Sequence, residues 1–183
     1  MAALTVVDLA GNTYETDIFT GVKDVNPSVS QVLNLFERGN KFTTYGTYLS
    51  KLNSLNILQW AQYIGRYNCK SSPVAIRLHT STQNTLSCFN NEYDQNFRFG
   101  HFIITDAEGS RLFENTIGTN SGDVKITTCT LAGDIMTVIG QYRGLANFDP
   151  GKSNRIKEWY TTAAYQDFTM TYDIVKKALL TLI

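Results

Sequence analysis

The chain is short of charge. Lys, Arg, Asp and Glu make up 17% of its 183 residues, against about 25% in an average globular protein. Little like-charge repulsion therefore keeps copies apart. The sixteen basic and sixteen acidic residues cancel, and the densest basic group is only Lys152, Arg155 and Lys157. A protein that coats nucleic acid neutralises several phosphates with a basic stripe. The missing stripe argues against nucleic acid as the main partner and leaves room only for a small local site. No apolar run approaches the roughly 18 residues that a membrane-spanning helix needs, so no membrane partner is expected. The first residues carry no basic flank, and Asp8 interrupts their apolar run, so no signal peptide is read there. Position 2 is Ala rather than the Gly of a myristoylation site.

Cysteine is scarce as well. Cys69, Cys88 and Cys129 are odd in number and far apart, with no C-x-x-C spacing. The expectation is reduced, buried thiols in a soluble, cytoplasmic protein. Thr, Asn, Tyr and Gly fill the space that charge vacates. The length suits one domain over residues 1–183. At that size about 70% of the chain's surface can be buried without a metal or a disulfide.

Residues 4–19 read as a hairpin, with a turn through Asp8, Gly11 and Asn12. A helix is expected over 26–39, capped by Asn26, opened by Pro27 and stopped by Gly39. Its apolar face is Val29, Val32, Leu33 and Phe36. A longer helix is expected over 45–67. Tyr45, Tyr48, Leu49, Leu52 and Leu55 form one stripe, and Ile57, Trp60, Ala61, Ile64 and Tyr67 form a second. From 73 to 144 the pattern turns to β, with strands near 74–78, 85–89, 97–105, 110–117, 124–131 and 135–142 between Gly-, Asn- and Asp-rich turns. Arg77, His79, Arg98 and Lys125 alternate with apolar neighbours, as in a sheet with one wet face. Residues 156–165 fit strand or helix. Phe168, Tyr172, Val175, Leu179 and Leu182 repeat at helical spacing, with Asp173 and Lys177 as an i,i+4 pair. The class expected is α+β, an antiparallel meander of about six to eight short strands packed against two or three helices. One internal echo stands out: Asp8-x-x-Gly11 and Asp106-x-x-Gly109 each follow an apolar strand, as hairpin turns do.

Few residues offer chemistry. Gly151-Lys152-Ser153 matches the end of a phosphate-binding loop, but Ala146 stands where its first Gly belongs and Pro150 removes an amide. Asn90 to Asn96 spaces oxygens like a calcium loop, yet Gln95 and His101 occupy the defining Gly and Glu positions. His79, His101, Cys88 and Cys129 lack a recognised ligand spacing, although a Cys–His pair would activate a thiolate. No catalytic motif, metal site or cofactor is therefore expected.

Tyrosine and phenylalanine number ten each, more than one core needs, and Tyr is favoured at interfaces. The reading is a non-enzymatic interaction or structural protein that binds itself or another protein, as a subunit of a viral or other large assembly. Tyr45, Tyr48, Trp60, Tyr63 and Tyr67 are its interface candidates, with an edge strand as the alternative seam. A competing reading is a ligand-binding or sensor module whose pocket, between sheet and helix, is lined by Phe99, Phe102 and Phe113.

Overall fold

A computed structural model describes residues 3–26, 34–36, 46–64, 70–79, 82–92, 98–119, 122–149, 156–158, 164–176 and 178–183. Among these there is no helix, and the α+β expectation is corrected to all-β. In chain order the strands are β1 (Leu4–Val7), β2 (Thr13–Phe19), β3 (Val22–Asp24), β4 (Asn34–Phe36), β5 (Gly46–Leu52), β6 (Leu58–Tyr63), β7 (Lys70–Leu78) and β8 (Thr85–Glu92). There follow β9 (Arg98–Thr105), β10 (Arg111–Ile117), β11 (Gly122–Ala132), β12 (Ile135–Asn147), β13 (Ile156–Glu158), β14 (Gln166–Asp173) and β15 (Ala178–Leu182). All pairings are antiparallel.

Three sheets result. The first runs β1-β2-β5-β6, the middle β10-β9-β8-β7, and the third β11-β12-β14-β15, with β13 beside the far end of β12. β3 and β4 form a separate ribbon. The middle sheet lies between the other two: β7 packs on β1, β2 and β5, while β11 packs on β7, β8 and β9. Successive strand residues point to opposite faces. Leu86, Cys88, Phe102 and Ile104 accordingly join the third sheet's Ile126, Val138, Phe168 and Met170 in the larger core. Phe89, Ile103 and Ile76 meet Tyr14, Leu49 and Ile64 of the first sheet in a smaller one. The expected wet face is thus corrected for the centre of this sheet, since β9 is buried on both faces from Gly100 to Thr105.

Three tight features join the middle and third sheets. A disulfide links Cys88 to Cys129, which corrects the expectation of reduced thiols at those positions. Gly100 allows the close approach, for a Cβ there would stand 2.8 Å from Ile126 of β11. Asn90 completes the joint by accepting from the Ile126 amide at 2.7 Å and donating to its carbonyl at 2.9 Å.

The helix expected over 45–67 is instead the β5–β6 hairpin. Its apolar stripes run across the turn at Asn53–Asn56, where Leu55 and the following Ile57 face solvent. The helix expected over 168–182 is the β14–β15 hairpin. Phe168 and Tyr172 are four apart, an interval that suits a helix and, being even, a strand too; Met170 between them is buried on the same side. Asp173 turns the chain by accepting from the Val175 and Lys176 amides. Of the helix expected over 26–39, residues 34–36 are β4, paired with β3, and 27–33 and 37–39 lie outside the described residues. The six β segments expected between 73 and 144 are present as β7 to β12, and 156–158 is strand.

Candidate functional site

Three turns share one design, two at one end of the first sheet and one between β9 and β10 of the middle sheet. Asp8 accepts from the amides of Ala10 at 2.9 Å and Asn12 at 2.8 Å. Asn53 does the same with Leu55 at 3.0 Å and Ile57 at 2.9 Å. Asp106 does so with Glu108 at 3.1 Å and Ser110 at 2.7 Å. In each, the fourth residue takes a left-handed backbone: φ is 82° at Gly11, 62° at Asn56 and 89° at Gly109. A short oxygen-bearing side chain followed three residues later by Gly or Asn is the sequence requirement for such a turn. The echo between Asp8-x-x-Gly11 and Asp106-x-x-Gly109 is therefore structural, and Asn53-x-x-Asn56 is a third instance that the sequence reading missed. Burial pulls the Asp8 carboxyl's pKa up, but hydrogen bonds from Asn12 and Ala10 outweigh it and hold the pKa below its ordinary value. The carboxylate stays charged and the turn closed at neutral pH.

Two of these turns sit side by side. β2 and β5 are neighbours, with Thr13 opposite Leu52, and a Cβ on Gly11 would lie 3.1 Å from that of Ser54. Their tips and flanks hold Leu9, Leu55, Val7 and Ile57, which are 92%, 76%, 59% and 50% exposed. Isolated exposed apolar residues are ordinary, whereas apolar residues grouped at one end of a sheet are the kind of patch from which contact surfaces are built. Closed turns also hold the group in place, so docking costs little ordering.

The third turn is used internally. Ala107 O accepts from Trp60 Nε1 at 3.0 Å and from Lys51 Nζ at 2.9 Å, and Gln62 Nε2 donates to Gly109 O at 3.0 Å. Gly109 lies against the Trp60 ring, so a Cβ there would be 2.7 Å from it. Arg111 extends the seam, donating to Gln62 Oε1 at 3.0 Å, Tyr63 O at 2.8 Å and Glu114 Oε2 at 2.9 Å. Buried His101 meets the other Glu114 oxygen at 3.0 Å. The bonds from His101 and then Arg111 lower the Glu114 pKa to about 2.

The structure separates the interface candidates. Trp60 packs edge-on to Tyr14, centroids 6.2 Å apart, on the side facing the middle sheet. Tyr48 and Tyr63 stand opposite each other on the outer side, each 6.2 Å from Phe19. Tyr48 is buried, and its hydroxyl donates to Glu15; burial and that carboxylate raise its pKa. Tyr45 and Tyr67 lie outside the described residues. The pocket candidates part as well. Phe102 and Phe113 stack at 5.8 Å, and Tyr172 closes on Phe113 at 5.1 Å, filling the space between the middle and third sheets. Phe99 lies beside Gly118. A cleft of about 170 Å³, lined by Glu15, Lys23, Asp24, Tyr48 and Ser50 among others, opens on the outer side of the first sheet. It is smaller than the roughly 300–1,000 Å³ of ordinary ligand pockets.

Other candidates for chemistry have structural roles. Cys88 and Cys129 are joined to each other, which removes the thiolates that a Cys–His pair would need. His79 Nδ1 bonds Thr82 in a surface turn. Asp123, Arg98 and Tyr165 bond one another: Arg98 donates to the two Asp123 oxygens at 2.9 and 3.1 Å and to Tyr165 at 3.0 Å. Residues 93–97 and 150–155 lie outside the described residues, and with them most of the calcium-like loop and the whole of Gly151-Lys152-Ser153. Among the described residues no group of three or more His, Cys, Asp or Glu could hold a metal ion, and no helix is long and apolar enough to cross a membrane. No family model matches the sequence and no curated protein matches it, so the reading of this site rests on its own geometry.

Proposed function

We propose that the protein is a non-enzymatic interaction module that self-associates through the turn end of its first sheet. The observation that carries the proposal is the exposed group Val7, Leu9, Leu55 and Ile57 on two adjacent, hydrogen-bonded turns. Zero net charge leaves little repulsion to oppose contact between copies. This moves the seam from the expected aromatic helix to the hairpin tips that interrupt it. A membrane surface is the weaker occupant, because lipid-binding apolar tips usually work with a basic cluster, and here the charge within the turn is the acidic Asp8, with Lys51 as the basic group acting on it. The test is sedimentation velocity of the wild type and of Leu9→Asp with Leu55→Asp over a range of concentrations. A wild-type oligomer that the double variant loses is the expected result. Equal sedimentation of both would refute this surface.

The disulfide bears on where the chain matures. Buried Cys88–Cys129 fits folding in an oxidising compartment better than the cytoplasm expected from cysteine count. Alkylation of the unfolded, unreduced protein should leave Cys88 and Cys129 unlabelled. Labelling of both without reductant would restore the cytoplasmic reading.

A further inference from the structure

Edge strands expose unpaired backbone groups, and proteins commonly blunt them with bulges, prolines and charges. Five of the six outer strands of the three main sheets carry a bulge. The register steps leave one extra residue on each: Gln59 on β6, Val74 on β7, Leu112 on β10, Thr127 on β11 and Leu180 on β15. Pro73 further blunts β7, and Arg111 and Glu114 put charge on β10. β1 is the exception. It pairs with β2 in unbroken register from Leu4 to Val7, with neither proline nor charge, and among the described residues no strand pairs with its other side.

The hydrogen-bond phase shows which groups β1 offers. Asp8 N donates to Asn12 O at 3.0 Å. Antiparallel bonding alternates along a strand, so Leu4 and Val6 direct their backbone groups to β2. Thr5 and Val7 therefore direct theirs outward. Their side chains are exposed too, while Leu4 and Val6 lean on the smaller core. Val7 also belongs to the apolar turn end, so the open edge and the apolar group are continuous.

We infer that β1 is an association seam, occupied by β1 of a second copy running antiparallel across a two-fold axis. This rests on the self-association reading and names its geometry. With Val6 opposite the partner's Val6, Thr5 and Val7 form two hydrogen-bonded pairs, and all outward groups of both strands are used. In that register Asp8 falls opposite Leu4 rather than opposite a second Asp8, so no like charges meet. Four residues make a short seam, and the adjoining Val7 and Leu9 supply the apolar burial that backbone bonds alone lack.

Proline tests this without disturbing the sheet. At position 5 or 7 it removes an outward amide and leaves the bonds to β2 intact. The experiment measures the self-association constant of wild type, Thr5→Pro and Val7→Pro by sedimentation equilibrium. Hydrogen exchange of the wild-type Thr5 and Val7 amides is followed at low and high concentration, which needs no variant to fold. Each proline is expected to weaken association about tenfold or more, since each removes a bond from both halves of a symmetric seam. The two amides should exchange more slowly as concentration rises. An oligomer indifferent to both prolines, with the amides exposed at every concentration, would overturn the seam and leave self-association standing. A monomer at every concentration would overturn both.

Discussion

The middle sheet is joined to its two neighbours by different chemistry. Towards the third sheet it presents Leu86, Phe102, Ile104, Phe113 and Ile117, which interlock with a continuous set of aliphatic and aromatic side chains. A disulfide and the close approach at Gly100 hold that joint. Towards the first sheet the apolar contact is smaller, and its margin is polar: Trp60, Gln62, Lys51 and Arg111 bonded to one turn and to one another. Each fully buried large apolar side chain contributes about 1.5–3 kcal/mol, whereas a hydrogen bond nets about 0.5–1.5 kcal/mol. The middle and third sheets thus make the durable body, and the first sheet is the more weakly attached layer. The exposed apolar tips and the unblunted edge strand both lie on that layer, so the contact surface we propose sits where local opening disturbs the body least.

Breaking the stronger joint should have the largest effect. Phe102→Ala removes a ring that packs on Phe113 and Tyr172 and should cost about 4 kcal/mol, read as a shift in the urea midpoint. Replacing Cys88 and Cys129 together by Ala should cost slightly less, about 3–4 kcal/mol, for a bridge across a separation of 41 residues. A loss below 1 kcal/mol would show that the bridge adds little to packing. On the weaker joint, Trp60→Ala should cost about 2 kcal/mol, because the ring is only half-buried and loses one hydrogen bond. It should loosen the first sheet in hydrogen exchange while the third stays protected. Equal loosening of all three sheets would dissolve the distinction.

Acid should sharpen it with the smallest effect. The Glu114 pKa falls from 4.5 to about 2 in the folded protein, through His101 first and Arg111 after it. A lowered folded pKa means that the pair's stabilisation is fully present above pH 4.5 and is lost as pH falls through about 2. The carboxylate is partly exposed, so the effect is modest. Glu114→Gln should flatten stability against pH over that window, and an unchanged acid limb would remove Glu114 from the joint.

The β half of the chain was legible because its strands are dense in β-branched and aromatic residues between Gly- and Asn-rich turns. The rest misled for identifiable reasons. In 45–67 the turn residues Leu55 and Ile57 are apolar yet exposed, so they entered the helical stripes as if they were core. In 168–182 the key spacing is four, common to both periods; Thr169 and Thr171 were the local sign of a strand. The disulfide was hidden because Cys88 and Cys129 are far apart in sequence and meet only when two sheets stack. Of the site, the Asp-x-x-Gly echo was visible. The wider form with Asn at either end would have found the Asn53 turn, and with it the apolar tips.

Native-state hydrogen exchange resolved over all three sheets at one low concentration tests the central comparison most directly. The account predicts that β5 and β6 exchange through an opening of lower free energy than β8, β9, β12 and β14. A single opening energy shared by all three sheets would contradict it.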